Sequence, residues 1–468
     1  MMARVLSPSG LQDKLKRQFS GQTLRARSFR SAGWTTTGFA SRYALRLIST
    51  LVLTRLLDPE AYGLMSLATV FMAGIALMSD IGTTPSVIRS HRGTDPDFLR
   101  TAWTIQAIRG AGIAGIVCLL SWPFAQIYDQ PLLFPMLCVL SLTALLQGLA
   151  SISAALANRK MELRKLTMIG LGVQTISLML TIFSAWMLQS VWALVIGALF
   201  ASFLRLVLTH RLLDPFPHGF RLERAAIDEI VAFGRWILLG TLLTFLGGKG
   251  ISAIHGMLVP VDILGMLSIA GTISWALGDL VGKILSNVAF PSLSQLVRER
   301  PEAVPAALRK IQLLIIGGCL PLFLVLSIVA QDLIALLYDD RYAPAGVILS
   351  IAALNGAMGV LSMPYQNAML AAGNSRSHAV VMGSSAMLKI VATLAGFHLG
   401  GMIWMLAALG LANGLVLLVS AGYAYRRGIA NLPLDAAALA IMAAAYALTI
   451  SAASQSWTIQ EATLAYVW

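Results

Sequence analysis

The chain contains the segment Glu60-Ala-Tyr-Gly-Leu-Met-Ser-Leu-Ala68 and, 202 residues later, the similar segment Asp262-Ile-Leu-Gly-Met-Leu-Ser-Ile-Ala270. The same offset pairs Trp34 with Trp236. Because six apolar segments separate the two copies, both would cross a membrane in the same direction, and their symmetry axis would lie along the membrane normal. The sequence therefore predicts an internal duplication that forms two helical lobes around a central cavity.

The composition indicates a polytopic membrane protein. Of 468 residues, 57% are hydrophobic and only 12% are charged, and the mean hydropathy is +0.77, whereas about a quarter of a soluble domain is charged. The formal net charge of +13 does not predict a nucleic-acid partner, because most basic residues lie in short loops between apolar segments. The three cysteines lie in apolar stretches without metal-ligand spacing and are expected to be small buried side chains.

Apolar windows of about 20 residues predict 13 membrane-spanning helices, within a range of 12 to 14. The windows are 33–57, 61–84, 101–125, 132–156, 166–188, 190–210, 231–255, 262–287, 309–332, 345–370, 379–399, 402–424 and 434–453. The predicted fold is an all-α membrane protein with two pseudo-symmetric six-helix lobes. Its expected parts are a basic cytoplasmic segment (1–32), an N-terminal lobe (33–213), a cytoplasmic loop (214–230), a C-terminal lobe (231–430) and an additional helix with a tail (431–468).

The basic residues also predict the orientation. With a cytoplasmic amino terminus, the inner loops and the first segment contain 24 lysines and arginines, and the outer loops contain two, as the positive-inside rule requires. Segment 1–32 is expected to be either an amphipathic helix on an anionic membrane surface or a basic tail that only sets topology. Aromatic residues near the outer boundaries are expected to anchor the protein in the membrane interface: Trp122, Tyr128, Trp186, Trp192, Tyr338, Tyr342 and Trp404.

Apart from the first and last three residues of each window, the predicted spans contain eight basic residues and only two carboxylates. The basic residues are Arg42, Arg46, Arg109, Arg205, Arg235, Lys249, Lys283 and Lys389, and the acids are Asp80 and Asp279. A charge at the centre of a span costs roughly 2.5–3.5 kcal/mol on insertion scales, so such residues usually face a bundle interior or a water-filled cavity. An excess of positive charge there predicts an anionic transported substrate.

The residues assigned to substrate binding are Arg42, Arg46, Arg109, Lys249 and Lys389. Arg42 and Arg46 are four residues apart and share a face of the first span, too deep for their side chains to snorkel to the interface. Lys249 lies in the run Gly247-Gly-Lys-Gly250, which is expected to widen or break its helix. Discontinuous helices mark substrate sites in transporters.

The residues assigned to charge balance or ion coupling are Asp80, Asp279 and Lys283. Structural alternatives exist for several of the charges. Asp279 and Lys283 are four residues apart and can form a local ion pair. Arg109 is close enough to the cytoplasmic surface to snorkel, and Asp80 either balances an arginine or binds a coupling proton.

Several short motifs resemble those of a known family. They are Leu53-Thr-Arg-Leu-Leu-Asp-Pro-Glu-Ala-Tyr-Gly63, Asp80-Ile-Gly82, Phe290-Pro-Ser-Leu-Ser294 and Tyr338-Asp-Asp-Arg-Tyr-Ala-Pro344. Over about residues 33–430 the chain is similar to bacterial polysaccharide repeat-unit flippases of the Wzx type, within the multidrug/oligosaccharidyl-lipid/polysaccharide exporter superfamily. The resemblance implies 12 to 14 helices in two lobes. It also implies alternating access that moves polyprenyl-pyrophosphate-linked oligosaccharides to the periplasmic leaflet of the bacterial inner membrane, for cell-surface or exopolysaccharide synthesis.

The predicted activity is transport and not catalysis. The sequence has no P-loop, GxSxG or HExxH motif and no long outer loop for a glycan polymerase or ligase. No cofactor is expected, and a gradient of H⁺ or Na⁺ is the candidate energy source. The expected partners are the lipid-linked glycan, membrane lipids and other polysaccharide-assembly proteins. The alternatives are a peptidoglycan-precursor flippase, whose substrate has the same polyprenyl pyrophosphate, and a drug/cation antiporter, for which an acid-lined cavity would be expected.

Overall fold

The computed structural model describes residues 24–79, 82–160, 162–214, 216 and 219–465, and within these ranges it is α-helical without a β-strand. In chain order the α-helices are α1 (Leu24–Leu53), α2 (Pro59–Met78), α3 (Thr83–Arg89), α4 (Pro96–Ile127), α5 (Leu133–Gly148), α6 (Ser153–Arg159), α7 (Leu163–Leu188), α8 (Trp192–Leu212), α9 (Arg224–Gly247), α10 (Lys249–Leu258), α11 (Val261–Ile284), α12 (Phe290–Glu299), α13 (Val304–Leu314), α14 (Leu320–Ile328), α15 (Ala330–Leu337), α16 (Pro344–Ala371), α17 (Ser375–Tyr425) and α18 (Leu432–Ala465). Short π-helical turns, Leu285–Ala289 and Ile315–Cys319, connect α11 to α12 and α13 to α14.

Length and composition identify the membrane-spanning helices. Among the described residues, nine helices are long and apolar enough to cross a membrane, or ten if α5 and α6, which are bent by 56°, form one span. Each of the predicted windows coincides with a helix, a broken helix or part of one. The predicted all-α membrane architecture is confirmed, whereas the count of 13 spans stays a prediction. The predicted amphipathic helix around residues 11–19 lies outside the described residues.

Glycine pairs interrupt two of these helices. Helix α9 ends at Gly247 and α10 begins at Lys249, because Gly248 has non-helical dihedral angles (φ −122°, ψ −95°). The break expected from the glycine-rich run is therefore present. In α17, Gly400 and Gly401 are non-helical, and Gly401 has a φ of 69°, in the region that favours glycine. This turn separates the spans predicted at 379–399 and 402–424.

The described residues form two compact units. The first contains residues 24–50, 78–126 and 130–239, and the second contains 51–77, 127–129 and 240–465. Helices α1 and α2 therefore each divide between the two units. Helix α1 passes from the first unit to the second after Thr50, and α2 passes from the second unit to the first after Leu77. The lobe boundary at 214–230 and the central cavity stay predictions.

A buried apolar cluster holds the helices of the first unit together at one end. It includes Phe98 and Leu99 of α4, Ile152, and Ile230 of α9. Beside it, Nη1 of Arg159 donates hydrogen bonds to the carbonyl oxygens of Val87, Ile88 and Ser90, at distances of 2.6–2.8 Å. These acceptors lie at the carboxyl end of α3, where the last turn of a helix leaves carbonyl groups without helical partners. Arg159 therefore fixes α3 against α6.

Helix α16 is the centre of the second unit and packs against α11, α14, α17 and α18. A buried polar network attaches α18 to it. The carboxylate of Asp435 accepts hydrogen bonds from the hydroxyl of Tyr365 (2.6 Å) and from Nε2 of Gln312 (3.2 Å). Further along the same helices, the hydroxyl of Tyr446 donates to Oδ1 of Asn355 (2.7 Å). Buried polar groups with satisfied hydrogen bonds hold spanning helices in a defined register, so the additional helix is an integral part of this unit.

Candidate functional site

The predicted arginine pair lies on an exposed face of α1 in the first unit. The side chains of Arg42 and Arg46 are both exposed. Helix α1 packs against α7 at this level, where Nε2 of Gln174 donates a hydrogen bond to the carbonyl oxygen of Arg42 (3.1 Å). Ile48, which is 52% exposed, lies on the opposite side of α1 from Arg46. The helix therefore has separate charged and apolar exposed faces, and the charged one is expected to face water.

Arg109 belongs to the same unit but has a different environment. Its side chain on α4 is partly buried, and Nε donates a hydrogen bond to Oγ of Ser79 (3.2 Å). This contact joins α4 to the segment that follows α2. Asp80, the next residue, lies outside the described residues, so its assigned role in charge balance or proton coupling stays a prediction.

The structure brings the helix break of the second unit close to Lys389. A Cβ built on Gly247 would lie 3.7 Å from the Cβ of Ala386, which is on α17, three residues before Lys389. Lys249 is the first residue of α10, and its side chain is exposed. The amino end of a helix has a partial positive charge, and Lys249 adds a full one. The break, with Lys249 directly after it, therefore packs against the turn of α17 that precedes Lys389.

Lys389 differs from the other assigned cations in its burial. Its side chain is only partly accessible, and within the described part of the chain no hydrogen bond or ion pair of its ammonium group is found. An unpaired ammonium group inside a spanning helix is unfavourable. Such a cost is typical of a functional residue.

Asp279 and Lys283 lie one turn apart on α11. Asp279 is exposed, and Lys283 is partly exposed. The ion pair expected between them stays a prediction, as does their role in coupling. Trp275 lies one further turn back along the same helix and is 57% exposed.

Two of the sequence motifs form a common contact in the second unit. Nη1 of Arg341 donates a hydrogen bond to Oδ1 of Asp58 (2.5 Å), and Nη2 donates to Oδ2 of Asp339 (2.8 Å). The buried hydroxyl of Tyr342 donates to the carbonyl oxygen of Leu57 (2.7 Å). We call the contact formed by Leu57, Asp58, Asp339, Arg341 and Tyr342 the motif contact. The motifs suggested turn chemistry only, and their association, across 283 residues, was missed at the sequence level.

An ion pair and an aromatic contact strengthen the motif contact. The hydrogen bond from Arg341 holds the pKa of the Asp339 carboxyl below its ordinary value of 3.8. The aromatic ring of Tyr62 packs edge-on against Tyr342, with 6.3 Å between ring centroids. An ion-pair group and an aromatic pair therefore join the start of α2 to the loop before α16.

The repeated segments meet beside the motif contact. A Cβ on Gly63 would overlap the carbonyl oxygen of Val261, and a Cβ on Gly265 would overlap the carbonyl oxygen of Pro59. Pro59 and Val261 are themselves separated by the repeat offset of 202 residues. The two contacts are thus equivalent, as expected if the repeats are related by a two-fold axis.

The predicted aromatic belt is partly wrong. Tyr128, Tyr338 and Tyr342 are buried, and the hydroxyl of Tyr128 donates to the carbonyl oxygen of Ala253 (3.0 Å). Trp122 and Trp186 are 61% and 65% exposed, as anchoring requires. Tyrosine at the end of a span suits both an interface and a polar helix contact, because one ring edge is apolar and the other carries a hydroxyl.

The chain is similar to proteins of polysaccharide assembly. Residues 52–347 match the profile of a family described as "Polysaccharide biosynthesis protein". The lipopolysaccharide biosynthesis protein WzxC of Escherichia coli (strain K12) is 20% identical over 359 residues, which cover 75% of this chain and 71% of WzxC. The succinoglycan biosynthesis transport protein ExoT of Rhizobium meliloti (strain 1021) is 20% identical over 328 residues, or 70% of this chain and 65% of ExoT.

Solved structures of transporters have the same fold. The lipid II flippase MurJ in an inward closed conformation has a TM-score of 0.67 at 12% identity, and the match covers 91% of this chain and 99% of MurJ. An inward-facing multidrug transporter of the MATE family has a TM-score of 0.61 at 11% identity, with 82% and 94% covered. At these identities the likeness shows the fold alone.

Proposed function

The chain belongs to the family of polysaccharide biosynthesis proteins, and we propose that it exports polyprenyl-pyrophosphate-linked oligosaccharide repeat units across a membrane. The substrate would move from the cytoplasmic to the periplasmic leaflet of a bacterial inner membrane, with the amino terminus of the protein in the cytoplasm. The names of WzxC and ExoT support this proposal, and the resemblance inferred from the motifs agrees with the family match.

The exposed arginine pair on α1 is the observation that most directly supports an anionic substrate. Arg42 and Arg46 project from the same exposed face of α1, at the position of the first predicted span. A guanidinium group facing lipid at this depth would cost roughly 2.5–3.5 kcal/mol, so this face is suited to water and to a hydrophilic ligand. Because a guanidinium group stays charged and binds two phosphate oxygens at once, it suits a pyrophosphate.

Each unit has its own cationic region for the pyrophosphate. In the first unit, Arg42 and Arg46 would bind it through bidentate hydrogen bonds. In the second, Lys249 at the start of α10 would act as a point charge beside the helix terminus, and Lys389 would become paired only when the anion arrives. We propose that these regions contact the substrate at successive stages of export.

Release on the periplasmic side requires a rearrangement within the second unit. The motif contact and the Gly63–Gly265 contact join α2 to the start of α11 and to the loop before α16. In the predicted orientation these contacts lie at the outer face, so they would form a closed outer gate.

The membrane potential would favour export, because moving two negative charges outward at 100 mV is favourable by roughly 5 kcal/mol. Coupling to H⁺ or Na⁺, with Asp80 or Asp279 as the acidic group, is an additional proposal.

The alternative functions differ in the expected charge of the substrate site. A drug or cation antiporter would need carboxylates, whereas Arg42, Arg46, Lys249 and Lys389 are all basic. A peptidoglycan-precursor flippase remains the second candidate, since the fold of MurJ and the shared pyrophosphate both support it. The family match favours the polysaccharide precursor.

Analysis of lipid-linked intermediates in cells tests the proposal. Removal of the gene should cause polyprenyl-pyrophosphate oligosaccharides to accumulate, as measured by mass spectrometry of lipid extracts. The wild-type gene should reverse the accumulation and an Arg46→Ala variant should not, whereas Arg426→Ala, a change at an exposed residue after α17, should behave as wild type at equal protein level. Accumulation of the peptidoglycan precursor instead would assign the second function, and no accumulation at all would contradict both.

A further inference from the structure

Two of the three cysteines lie side by side in the first unit. Sγ of Cys118 on α4 is 3.1 Å from Sγ of Cys138 on α5. The sequence predicts small buried side chains at all three cysteines, but Cys118 is exposed and Cys138 is only partly buried. The prediction is therefore wrong for Cys118, and nothing in the local sequence indicates that the two thiols meet.

The packing of α4 against α5 holds the two sulfur atoms in this position. A Cβ on Gly110 would lie 2.7 Å from Cα of Gly148, so the two helix backbones are in close contact there. Nε2 of Gln106, one turn earlier on α4, donates a hydrogen bond to the carbonyl oxygen of Gly148 (3.0 Å). Cys118 lies eight residues after Gly110 on α4, and its partner Cys138 precedes the α5 glycine by ten. The helices thus run antiparallel, and the sulfur pair is a second point of contact between them.

A buried serine orients the pair. Oγ of Ser121, which is fully buried, donates a hydrogen bond to the carbonyl oxygen of Cys118 (2.6 Å) and lies 3.4 Å from Sγ of Cys138. Because the hydroxyl proton is used in the first contact, the serine oxygen can accept a hydrogen bond from the Cys138 thiol. This contact directs the Cys138 sulfur toward α4. A disulfide bond is about 2.05 Å long, so a displacement of about 1 Å brings the sulfur atoms to bonding distance.

Cys118 is the more accessible of the two thiols. A Cβ on Gly115, one turn before Cys118, would have nothing within 4 Å, and side chains three residues apart lie on the same face of a helix. The approach to Cys118 is therefore open. Trp122, one turn after Cys118, is 61% exposed, as an interfacial anchor requires. In the predicted orientation this end of α4 is the outer one, and the bacterial periplasm is an oxidising compartment.

We propose that Cys118 and Cys138 are a redox-active pair, which a disulfide oxidant of the outer compartment converts to a disulfide bond between α4 and α5. The thiolate of Cys118 attacks one sulfur of the oxidant, so that a mixed disulfide forms and the other oxidant sulfur leaves as a thiol. The thiolate of Cys138 then attacks Sγ of Cys118, and the second oxidant sulfur leaves as a thiol. The protein loses two electrons and two protons, and the oxidant takes up both.

The bond would fasten the hairpin of α4 and α5 near its outer turn. It would join residues 20 positions apart, and closure of a loop of this length restricts the unfolded chain. The site does not have the composition of a metal centre. Structural zinc takes four protein ligands, and among the residues that the structure describes no group of three or more His, Cys, Asp or Glu side chains converges. The inference does not depend on the transported substrate.

Thiol trapping in the purified full-length protein tests the proposal. The protein is treated with the aromatic disulfide dithiodipyridine, remaining thiols are alkylated, and chymotryptic peptides are analysed by mass spectrometry. The wild type should yield a disulfide-linked peptide pair that contains Cys118 and Cys138. Cys138→Ser should instead accumulate the mixed disulfide between Cys118 and pyridinethiol, because the second attacking thiol is absent. Cys319→Ser, at the remaining cysteine of the chain, is the matched control and should form the linked pair as the wild type does.

Thermal unfolding in detergent tests whether the bond fastens the hairpin. The oxidised wild type should unfold about 2–4 °C above the reduced protein, and Cys138→Ser should show no such difference. An unchanged unfolding temperature in a protein that contains the bond would contradict this stabilisation.

The products at the two cysteines decide the proposal itself. Separate pyridinethiol adducts at Cys118 and Cys138 in the wild type, without the linked pair, would overturn it. Alkylation of intact cells before lysis should also recover the linked pair, and the recovery of both residues only as alkylated thiols would overturn oxidation in the outer compartment.

Discussion

Gly63 and Gly265 occupy equivalent positions in the two repeats, and each lies directly against the backbone at the start of the other repeat's helix. A side chain on Gly63 would overlap the carbonyl oxygen of Val261, and one on Gly265 would overlap that of Pro59. The two copies of the repeated segment thus approach each other closely at their equivalent glycines. Since the motif contact lies beside this pair, both features belong to the proposed outer gate, which joins α2 to α11 and to the loop before α16.

Replacement of Gly265 by alanine should open this arrangement. Overpacking of a close contact costs roughly 1–3 kcal/mol, and about 1.4 kcal/mol changes a population ratio tenfold. Spin labels on cysteines at Glu60 and Asp262, two exposed positions next to the contact, would report the opening as a longer inter-spin distance. The native cysteines would be replaced first.

A matched glycine gives the control for this substitution. Gly112 on α4 has nothing within 4 Å of its Cβ position, so Gly112→Ala should leave the inter-spin distance unchanged. The same distance distribution in Gly265→Ala and wild type would show that the close approach is not required for closure.

Removal of the Tyr342 hydroxyl should weaken the closed arrangement as well. In Tyr342→Phe the carbonyl oxygen of Leu57 would lose a buried hydrogen bond (2.7 Å), which costs about 1–3 kcal/mol. We expect a larger population of the long inter-spin distance. Tyr425→Phe, at a residue that is 65% exposed, should have no effect, and an equal effect of both variants would argue against the hydrogen bond as the cause.

The ionic part of the motif contact should be insensitive to pH near neutrality. Arg341 lowers the pKa of Asp339 from 3.8, so the carboxylate stabilises the contact above its unfolded-state pKa. This stabilisation is lost as the pH falls through the still lower folded-state pKa. The distance distribution should therefore be constant from about pH 5 to 8. A transition inside that interval would require a different titrating group at the gate.

Substitution of Lys389 by methionine should stabilise the protein and impair transport. The change removes a partly buried ammonium group from a spanning helix, with an expected gain of the order of 1 kcal/mol in unfolding free energy. Thermal unfolding in detergent measures the gain, and transport in vesicles measures the loss. Lys310→Met, at an exposed position on α13, should alter neither. A destabilised Lys389→Met protein with normal transport would contradict the role of Lys389 in anion binding.

Hydropathy and glycine content predicted the helices because a membrane constrains each segment locally. Each window of about 20 apolar residues overlaps one or more of the described helices, and the breaks at Gly248 and Gly400–Gly401 follow from backbone freedom at glycine. The repeat at Gly63 and Gly265 was also visible, because the two segments that contain these glycines are similar in sequence. The helices and their breaks depend on near neighbours in the chain, whereas the repeat requires only a comparison of two segments.

The contacts between distant segments could not be predicted in the same way. Asp58 and Arg341 are 283 residues apart, and neither has a local pattern that indicates its partner. Tyr128 and Tyr342 lie at ends of spans, where a buried tyrosine and an interfacial one have the same sequence signal. Trp275 appeared only as one more apolar residue of a span, and its exposure beside Asp279 became evident from the packing of α11 on α16.

Reconstituted transport tests the central claim most directly, namely that positive side chains on the spanning helices bind the substrate pyrophosphate. Proteoliposomes would carry a fluorescent polyprenyl-pyrophosphate oligosaccharide, and a membrane-impermeant quencher would report its passage between leaflets. We predict rapid passage with the wild type, a smaller rate with Arg46→Lys, and a rate with Arg46→Ala at least about tenfold below wild type. Wild-type rates in both variants, with folding unchanged, would contradict the claim.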